Sequence, residues 1–445
     1  MLKRCVFIIA VLTANYSFAQ VNISRDSILK QMQYAARQEL LDKYYPRNID
    51  TLYGGYLSTF TFDFQPQGAQ DKMIVTQARH TWSTAKAALF YNDTAYISMS
   101  RHGFYFLRDK MWDKTYGGFF NLVARDGTPK DFIKQAYGNA FAVYGLSAYY
   151  ECSHDTAALQ LAKKAFAWLE EHSHDPEHKG YFQYLQRDGT AMRRTAGTPV
   201  GSDIGYKDQN SSIHILEALT ELYKVWPDPL VRTRLQEMLL LIRDTIVTPK
   251  GYLQLNFTND WKPVSHRDSS DEMISKTRFI DHVSFGHDVE TAYLMLEATE
   301  ALGNRHDTKT MSVGKRMVDH ALHNGWDDTL GGFYDEGYYY KNKPGIAIIK
   351  DSKNWWAQAE GLNTLLLLAQ QYPGDPLHYY AHFLKLWQYV QTYMIDHRYG
   401  DWYEEGLDKE PQRKTALKAQ IWKGTYHNFR ALANCINRLK SMSNR

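Results

Sequence analysis

At residues 117–123 the chain reads Gly-Gly-Phe-Phe-Asn-Leu-Val, a glycine pair followed directly by aromatic and aliphatic side chains. A glycine next to an aromatic residue returns five more times, each time shortly before a helical stretch. The six copies are Gly54-Gly55-Tyr56, Gly117-Gly118-Phe119, Gly180-Tyr181, Gly251-Tyr252, Gly331-Gly332-Phe333 and Gly400-Asp401-Trp402. The interval from one copy to the next, as from Gly118 to Gly180, is the length of two helices and a loop. The chain is therefore an internal repeat of helix pairs.

Two kinds of helical segment alternate between these turns. Amphipathic segments with charged outer faces indicate an outer ring of helices at 23–44, 157–172, 230–247, 311–324 and 378–396. Segments with few charges, which are typical of buried helices, indicate an inner ring at 77–91, 135–150, 209–226, 285–302, 354–371 and 418–438. The predicted fold class is all-α, an (α/α)6 barrel.

Short β-hairpins are predicted on one rim of this barrel. The β-rich run 119–123 leads into Arg125-Asp126-Gly127, and the run 181–185 leads into Arg187-Asp188-Gly189. A β-rich run followed by Asp-Gly is a hairpin signal. Because each hairpin precedes an inner helix, we expect the hairpins at the rim where inner helices begin, and we expect binding residues there too.

The first 19 residues have the pattern of a signal peptide: a positive start, an apolar run too short to span a membrane, and Ser17-Phe18-Ala19 before Gln20. We expect an exported, periplasmic protein whose mature part, 20–445, is a single barrel domain. Two cysteines remain in that part, Cys152 and Cys435. Two isolated cysteines in helical stretches do not make a disulfide framework, so buried free thiols are expected.

Charge and motifs exclude several classes of function. Without residues 1–19, 50 Lys and Arg face 49 Asp and Glu, which gives no electrostatic support for a nucleic-acid or membrane-surface partner. The sequence has no HExxH motif, cysteine cluster, phosphate loop, dinucleotide fingerprint or serine nucleophile elbow. We therefore expect no metal and no cofactor, a small molecule as partner, and a monomer or homodimer.

Polar and aromatic residues cluster at the predicted starts of the inner helices, where a buried helix rarely holds charge unless it is paired or functional. The candidates are Arg79, Trp82, Tyr137, Asn210, His214, His287, Glu290, Trp355, Trp356, Glu360, Trp422 and His427, together with Trp402 in the sixth turn. His214 with Glu217 and His287 with Glu290 are i, i+3 pairs, in which a carboxylate can hold an imidazole and raise its basicity. The alternative for each pair is a core histidine with a surface glutamate.

Arg79 and Trp82 are also spaced i, i+3. They predict either a cation–π pair in the core or a guanidinium that holds an oxyanion or sugar hydroxyls. Four tryptophans on the predicted rim can stack on the apolar face of a pyranose: Trp355, Trp356, Trp402 and Trp422. Each alone is equally consistent with packing in the core. Together on one rim, beside polar groups, they indicate a carbohydrate pocket.

Five segments resemble the N-acylglucosamine 2-epimerase superfamily, most closely its cellobiose 2-epimerase branch, which includes mannobiose 2-epimerases. In the family's order they are Arg79-His80-Thr81-Trp82, Asn210-Ser211-Ser212-Ile213-His214-Ile215-Leu216-Glu217-Ala218, Phe285-Gly286-His287-Asp288-Val289-Glu290, Trp355-Trp356-Ala357-Gln358-Ala359-Glu360 and Trp422-Lys423-Gly424-Thr425-Tyr426-His427-Asn428. The resemblance covers nearly the whole mature chain. It implies an (α/α)6 barrel and metal-free epimerisation at C2 of a reducing-end sugar.

The resemblance also implies roles for residues. His287 and His427 would be the acid–base pair, and Trp356 and Trp422 would be sugar platforms. Polar contacts around O1 and O2 would come from Arg79, Asn210, His214 and Glu290. Two histidines on opposite sides of a pocket can remove the C2 proton from one face and return it to the other, with Arg79 and neutral donors from Asn210 or His214 stabilising the enediolate. Which histidine abstracts the proton depends on the direction of the reaction.

Two departures from the family pattern leave the sugar open between cellobiose and mannobiose: Ser212 stands where disaccharide epimerases have a histidine, and Thr425 where proline is common. An aldose–ketose isomerase of the mannose isomerase type, or an N-acylglucosamine 2-epimerase, is the alternative on the same scaffold. An (α/α)6 glycoside hydrolase needs two suitably spaced carboxylates as its catalytic groups, whereas the main candidates at the inner-helix starts of this chain are histidines. A non-catalytic sugar-binding protein would explain the tryptophans but not the His–Glu pairs.

Overall fold

The computed structural model describes residues 24–443, so the predicted signal peptide at 1–19 lies outside the described residues. Six buried helices form an inner ring. They are α2 (Ile74–Tyr91), α4 (Ala136–Ser153), α6 (Gln209–Val225), α8 (Phe285–Ala301), α10 (Trp355–Gln371) and α12 (Tyr426–Ser443). Each packs against the next, and α12 packs back against α2, which closes the ring.

A second set of helices packs outside the first, one against each inner helix. They are α1 (Arg25–Tyr34), α3 (Thr94–Phe106), α5 (Thr156–His172), α7 (Pro229–Leu241), α9 (Thr308–Gly325) and α11 (Tyr379–Tyr389). The predicted (α/α)6 barrel is therefore confirmed. The last inner helix begins at Tyr426 instead of residue 418, because the preceding residues form bridges and turns on the rim.

Local signals set the limits of the outer helices. Asp93, Asp155, Asp228 and Asp307 are N-caps, and the side chain of each accepts a hydrogen bond from the backbone N–H two residues further on. Four outer helices continue into π-helical turns that lead towards the Gly-aromatic motifs. These turns are Ala35–Leu41, Leu107–Met111, Ile242–Ile246 and Val390–Met394.

The Gly-aromatic motif is a tight turn that requires glycine. Gly117 and Gly118 both have φ of 67°, in the left-handed region. A Cβ at Gly118 would lie 2.8 Å from the indole of Trp168, so the backbone packs directly on this ring. The aromatic residue that follows, Phe119, is fully buried. The motif thus fixes the end of one helix pair against the next.

The strands differ from the predicted hairpins. The strand before an inner helix pairs with a strand of the following repeat: Lys72–Met73 with Leu122–Val123, Lys134–Gln135 with Tyr184–Leu185, Lys207–Asp208 with Asn256–Phe257, and Val283–Ser284 with Glu336–Tyr338, which also pairs with Ala347–Lys350. The expected hairpins persist as single bridges, such as Val123 with Pro129. The ladders therefore tie neighbouring repeats together on the rim.

Buried lysines strengthen the same rim. Lys72 and Lys134 lie two residues before an inner helix, are 0% exposed, and pair with Asp50 and Asp113 of the preceding turn at 2.8 and 3.2 Å. Three further pairs are Lys207–Asp175, Lys353–Asp327 and Lys418–Asp396, each at 2.7 Å. A lysine that precedes an inner helix is thus a structural tie, and Lys134 does not join the pocket.

The two cysteines of the described residues, Cys152 and Cys435, are free, as expected from the sequence. Cys435 is fully buried, but Cys152 is only half-buried, in contrast to the expectation. Between residues 24 and 443, no helix has the length and apolar character needed to cross a membrane.

Candidate active site

The first turns of the inner helices meet at the axis of the barrel, and there the structure brings together two of the predicted histidines. His287 is at the third position of α8, and His427 at the second position of α12. The indole of Trp356, on α10, is close to both, with ring centroids 4.6 Å from His287 and 5.9 Å from His427. Two imidazoles from different helices therefore contact one aromatic ring.

His427 is held by carboxylates. Its Nδ1 lies 2.7 Å from Oε1 of Glu360 and 3.8 Å from Oε1 of Glu290. Because a carboxylate accepts, Nδ1 bears the proton and Nε2 is left as the nitrogen free for chemistry. Burial, with Arg79 as the next contribution, lowers the pKa of His427 well below its usual value, and Glu290 opposes this.

His214 is held in the same manner. Its Nδ1 lies 2.8 Å from Oε2 of Glu217, so the predicted i, i+3 pair on α6 forms. Burial would raise the pKa of Glu217, but Arg430 and His214 outweigh burial and lower it to about 2. Glu217 is therefore ionised at neutral pH, and it accepts the hydrogen bond from Nδ1 of His214.

One arginine that the sequence analysis did not single out organises these carboxylates. Arg430, on α12, is 3% exposed. Its Nη2 donates to Glu290 at 2.5 Å and to Glu360 at 2.6 Å, and its Nη1 contacts Glu217. Three acidic side chains from three inner helices thus converge on one guanidinium.

The charge balance around Arg430 is uneven. Burial would lower the pKa of Arg430, but Glu360, Tyr426 and the other carboxylates raise it well above its usual value, so it stays charged. Burial raises the pKa of Glu360 against the opposing effect of Arg430. Oε2 of Glu360 has no hydrogen-bond partner in the described part of the chain, whereas Glu217 also binds Tyr426 and His214. This difference in hydrogen bonding accounts for the opposite directions of the two shifts.

Glu290, Glu360 and His427 offer ligand atoms within 4.8 Å of one another, a spacing that suits a metal ion. The same oxygens, Oε1 of Glu290 and Oε1 of Glu360, are hydrogen-bonded by Nη2 of Arg430. The guanidinium therefore already provides the positive charge that this acidic cluster needs.

His287 has different surroundings from those the sequence predicted. Glu290, its predicted i, i+3 partner, binds Arg430 instead. Within residues 24–443 no carboxylate lies within salt-bridge distance of His287, and its Nδ1 is 3.4 Å from Nε2 of Gln209. Burial, followed by the nearby His214, His282, His427 and Arg79, lowers the pKa of His287 well below its usual value. His287 is thus neutral in the resting protein.

Arg79 does not stack on Trp82. Its guanidinium carbon lies 4.4 Å from the ring centroid of Phe141 and 4.7 Å from that of Tyr426, and Nη2 donates to the hydroxyl of Tyr137 at 3.1 Å. Its Nε is buried without a partner among the described residues. The aromatic surroundings fix the side chain while leaving N–H groups available.

The tryptophans divide by burial. Trp402 is 1% exposed and bridges to Ile395, so it lies in the core and not on the pocket surface. Trp82 is also buried and stacks on Tyr144. Packing on other protein groups therefore accounts for both residues, in place of the sugar contact expected from the sequence.

The remaining candidates lie nearer the rim. Trp355 is buried at the start of α10, with the ammonium of Lys423 5.7 Å from its ring centroid. Trp422 is 46% exposed on the rim, and Trp356 is half-buried beside the histidines. Asn210 is half-buried at the second position of α6. These residues, apart from Trp355, present surface from which a ligand can be bound.

Comparison with known proteins identifies the family of the chain. The model of the N-acylglucosamine 2-epimerase (GlcNAc 2-epimerase) family matches residues 55–431. The cellobiose 2-epimerase of Bacteroides fragilis is 28% identical over 410 residues, 91% of this chain and 98% of that protein. The D-mannose isomerase of Marinomonas mediterranea is 24% identical over 404 residues, 90% of this chain and 94% of that protein.

A solved structure gives the same result for the fold. The cellobiose 2-epimerase from Spirochaeta thermophila superposes with a TM-score of 0.80 at 27% identity, and the match covers 96% of this chain and 100% of that chain. The family match runs from the first Gly-aromatic turn into the last inner helix and includes His214, His287 and His427. The resemblance predicted from the sequence is thereby confirmed: this chain belongs to the N-acylglucosamine 2-epimerase family and is a carbohydrate epimerase of the isomerase class.

Proposed function

We propose that this protein inverts C2 of the reducing-end residue of a β-1,4-linked disaccharide, cellobiose or mannobiose, with His287 and His427 as acid and base. The proposal rests on one observation: the two imidazoles both lie beside the indole of Trp356, at 4.6 and 5.9 Å between ring centroids. A sugar that stacks on this indole lies within reach of both proton-transfer groups, one for each face of C2. Two-base transfer of this kind needs no cofactor.

Ring opening comes first, because the C2 proton is acidic only in the open-chain aldehyde. Nε2 of His214 is free to accept a proton, since Glu217 binds Nδ1–H. His214 therefore takes the proton of the anomeric O1 hydroxyl as C1=O1 forms and the C1–O5 bond breaks, and it then gives that proton to O5. This role differs from the neutral donor that the sequence suggested for His214.

Proton transfer follows at C2. One histidine takes the C2 proton, the electron pair moves into the C1–C2 bond, and negative charge develops on the enediolate oxygens. The other histidine takes up a proton from solvent before this step and, as the imidazolium, gives it to the opposite face of C2, which produces the epimer. The first histidine then releases the proton it gained to solvent, so no net proton is consumed. Arg79 has a fixed charge and an unpaired N–H at the pocket, so it stabilises the enediolate electrostatically.

The disaccharide is proposed from the relatives and from the rim. The similar proteins from Bacteroides fragilis and Spirochaeta thermophila are cellobiose 2-epimerases. Trp422, exposed on the rim, provides a platform for a second sugar ring beyond the one that reacts. The similarity to the D-mannose isomerase of Marinomonas mediterranea favours a second candidate, an aldose–ketose isomerase, in which the proton returns to C1.

Export is also part of the proposal. Residues 1–19 have the charge, apolar run and small residues of a signal peptide, so we propose that the enzyme acts in the periplasm on sugars produced outside the cytoplasm.

Proton NMR in D2O tests the reaction. Purified protein would be incubated without added metal with cellobiose, mannobiose, mannose and N-acetylglucosamine in separate tubes. We expect deuterium at C2 and the appearance of the 2-epimer of one disaccharide. A ketose product would transfer the protein to the isomerase candidate, and the absence of exchange with all four sugars would refute the proposed reaction.

A further inference from the structure

The three histidines of the site are held by different chemistry. Nδ1 of His214 and Nδ1 of His427 each bind a glutamate, at 2.8 and 2.7 Å. Nδ1 of His287 instead faces an uncharged amide, that of Gln209, at 3.4 Å. The following inference rests on the proposed proton transfer, and it concerns which nitrogen of His287 exchanges the proton.

Gln209 is placed rigidly. It is the first residue of α6, is 3% exposed, and its backbone N–H donates to the carbonyl of Leu255 at 2.9 Å. Its Oε1 is buried and has no hydrogen-bond partner among the described residues. An unused amide oxygen beside an imidazole nitrogen is a costly arrangement, because a buried acceptor without a donor loses its bonds to water.

Turning the amide over exchanges the positions of its nitrogen and oxygen, which occupy nearly the same volume. Oε1 then faces Nδ1 of His287 and accepts its proton, so the buried oxygen gains a donor. In this arrangement Nε2 of neutral His287 is an unprotonated acceptor. The opposite orientation would place the proton on Nε2, and that nitrogen could not take a proton from carbon.

We propose that Gln209 is a positioning residue: its carbonyl oxygen accepts Nδ1–H of His287 and thereby leaves Nε2 as the nitrogen that exchanges the C2 proton. The bond persists when His287 is protonated, because the imidazolium also has Nδ1–H. Gln209 would thus orient His287 through Nδ1, as Glu360 orients His427, but with a neutral acceptor instead of a charged one. His287 is then the weaker base and the stronger acid of the pair.

A neutral partner suits this position because the other groups that face His287 are cationic or become so. These groups are His214 on α6, His427 on α12, Arg79 on α2 and His282 just before α8. Among them, a neutral acceptor orients the ring without stabilising its charged form as much as a carboxylate would. His287 can therefore release its proton to carbon readily.

Histidine-labelled protein allows a direct test by ¹⁵N NMR, with His287→Asn to assign the signals. We expect Nδ1–H and an unprotonated Nε2 on His287 in the wild type. In Gln209→Met, which has similar size and no acceptor, we expect the Nε2–H form to become populated. A wild-type His287 with its proton on Nε2, or a Gln209→Met spectrum identical to the wild type, would overturn the proposal.

Activity gives the second readout. Gln209→Met should lower kcat about tenfold, the effect of one net hydrogen bond, with little change in KM. Gln209→Glu keeps the shape and adds a charge, so it should raise the pKa of His287. The acidic limb of kcat should then move to higher pH in the direction in which His287 is the base; an unmoved profile counts against the proposal.

The two proposals fail separately. The NMR experiment needs no substrate, so a shifted tautomer in Gln209→Met supports the positioning role even if no sugar is epimerised. If the wild type exchanges deuterium at C2 while both Gln209 variants match it in kcat, pH profile and spectrum, the epimerase stands and the role of Gln209 is refuted.

Discussion

Replacing Arg430 by methionine should destabilise the folded protein by about 3–5 kcal/mol at pH 7, because it leaves three buried carboxylates without their shared counter-ion. Oε1 of Glu290 and Oε1 of Glu360 both bind the same Nη2, at 2.5 and 2.6 Å. One oxygen of each of these two carboxylates lies within 4.8 Å of the other. Two charges at that separation repel by about 3 kcal/mol at an effective dielectric constant of about 20, and in the variant no guanidinium offsets this repulsion.

The effect should depend on pH. Burial would raise the pKa of Glu217, but Arg430 and His214 lower it to about 2, below the ordinary value of 4.5. A depressed carboxyl pKa gives stability that is full above the unfolded-state pKa and is lost as the pH falls through the folded-state pKa. The difference in the free energy of unfolding between the wild type and Arg430→Met should therefore be about 2 kcal/mol smaller at pH 3 than at pH 7.

Urea unfolding at pH 7 and pH 3 measures both the loss of stability in Arg430→Met and its dependence on pH. Arg438→Met is the matched control, since Arg438 lies two turns further along α12 and binds the uncharged Asn363, at 2.8 Å. We expect the control to lose about 1 kcal/mol at either pH. A loss for Arg430→Met below about 1 kcal/mol, no more than one ordinary hydrogen bond, or an equal loss at both pH values, would refute the assignment of Arg430 as the counter-ion of the cluster.

Three further predictions concern the rim, the repeat and export. Trp422→Ala removes an exposed ring and should raise KM for a disaccharide about tenfold with little change in kcat, whereas Trp402→Phe alters a buried ring and should lower the unfolding temperature and leave KM unchanged. Steady-state kinetics and thermal unfolding measure these effects; a changed KM in Trp402→Phe with an unchanged KM in Trp422→Ala would contradict the argument from burial. Lys207→Met should lower the free energy of unfolding by about 3–5 kcal/mol, because it leaves the buried carboxylate of Asp175 without its counter-ion; a loss near zero in urea unfolding would contradict the structural role of this ion pair. Mature protein recovered from the periplasm should begin at Gln20 by N-terminal sequencing, and recovery of an uncleaved cytoplasmic chain would contradict export.

The ring could be predicted from the sequence because its signals are local. The Gly-aromatic turns and the contrast between charged and uncharged helices are both legible within one repeat. The strand ladders could not be predicted in this way, because Lys72–Met73 pairs with Leu122–Val123 of the next repeat. A hairpin signal predicts pairing only with the neighbouring segment of the chain. The sequence therefore predicted hairpins where the structure also joins successive repeats.

The site was predictable in part for the same reason. The His214–Glu217 pair forms as its spacing indicated, because both residues lie on one helix face. Arg430 binds Glu290 and Glu360 on other helices, 140 and 70 positions earlier in the chain, and no spacing rule reaches that far. A signal did exist: Arg430 follows His427 by three positions on a buried helix, the same spacing that drew attention to the His–Glu pairs.

The assignment of two histidines to opposite faces of C2 is tested most directly by deuterium exchange in single variants. His287→Asn and His427→Asn would each be incubated in D2O with one epimer at a time, and C2 deuterium and epimer formation would be followed by NMR. We expect epimer formation to fall by about 10³-fold or more in both variants. Each variant should still exchange the C2 proton of one epimer, and the two variants should exchange opposite epimers. Epimer formation within tenfold of the wild type in either variant, or exchange of the same epimer by both, would contradict the two-histidine mechanism.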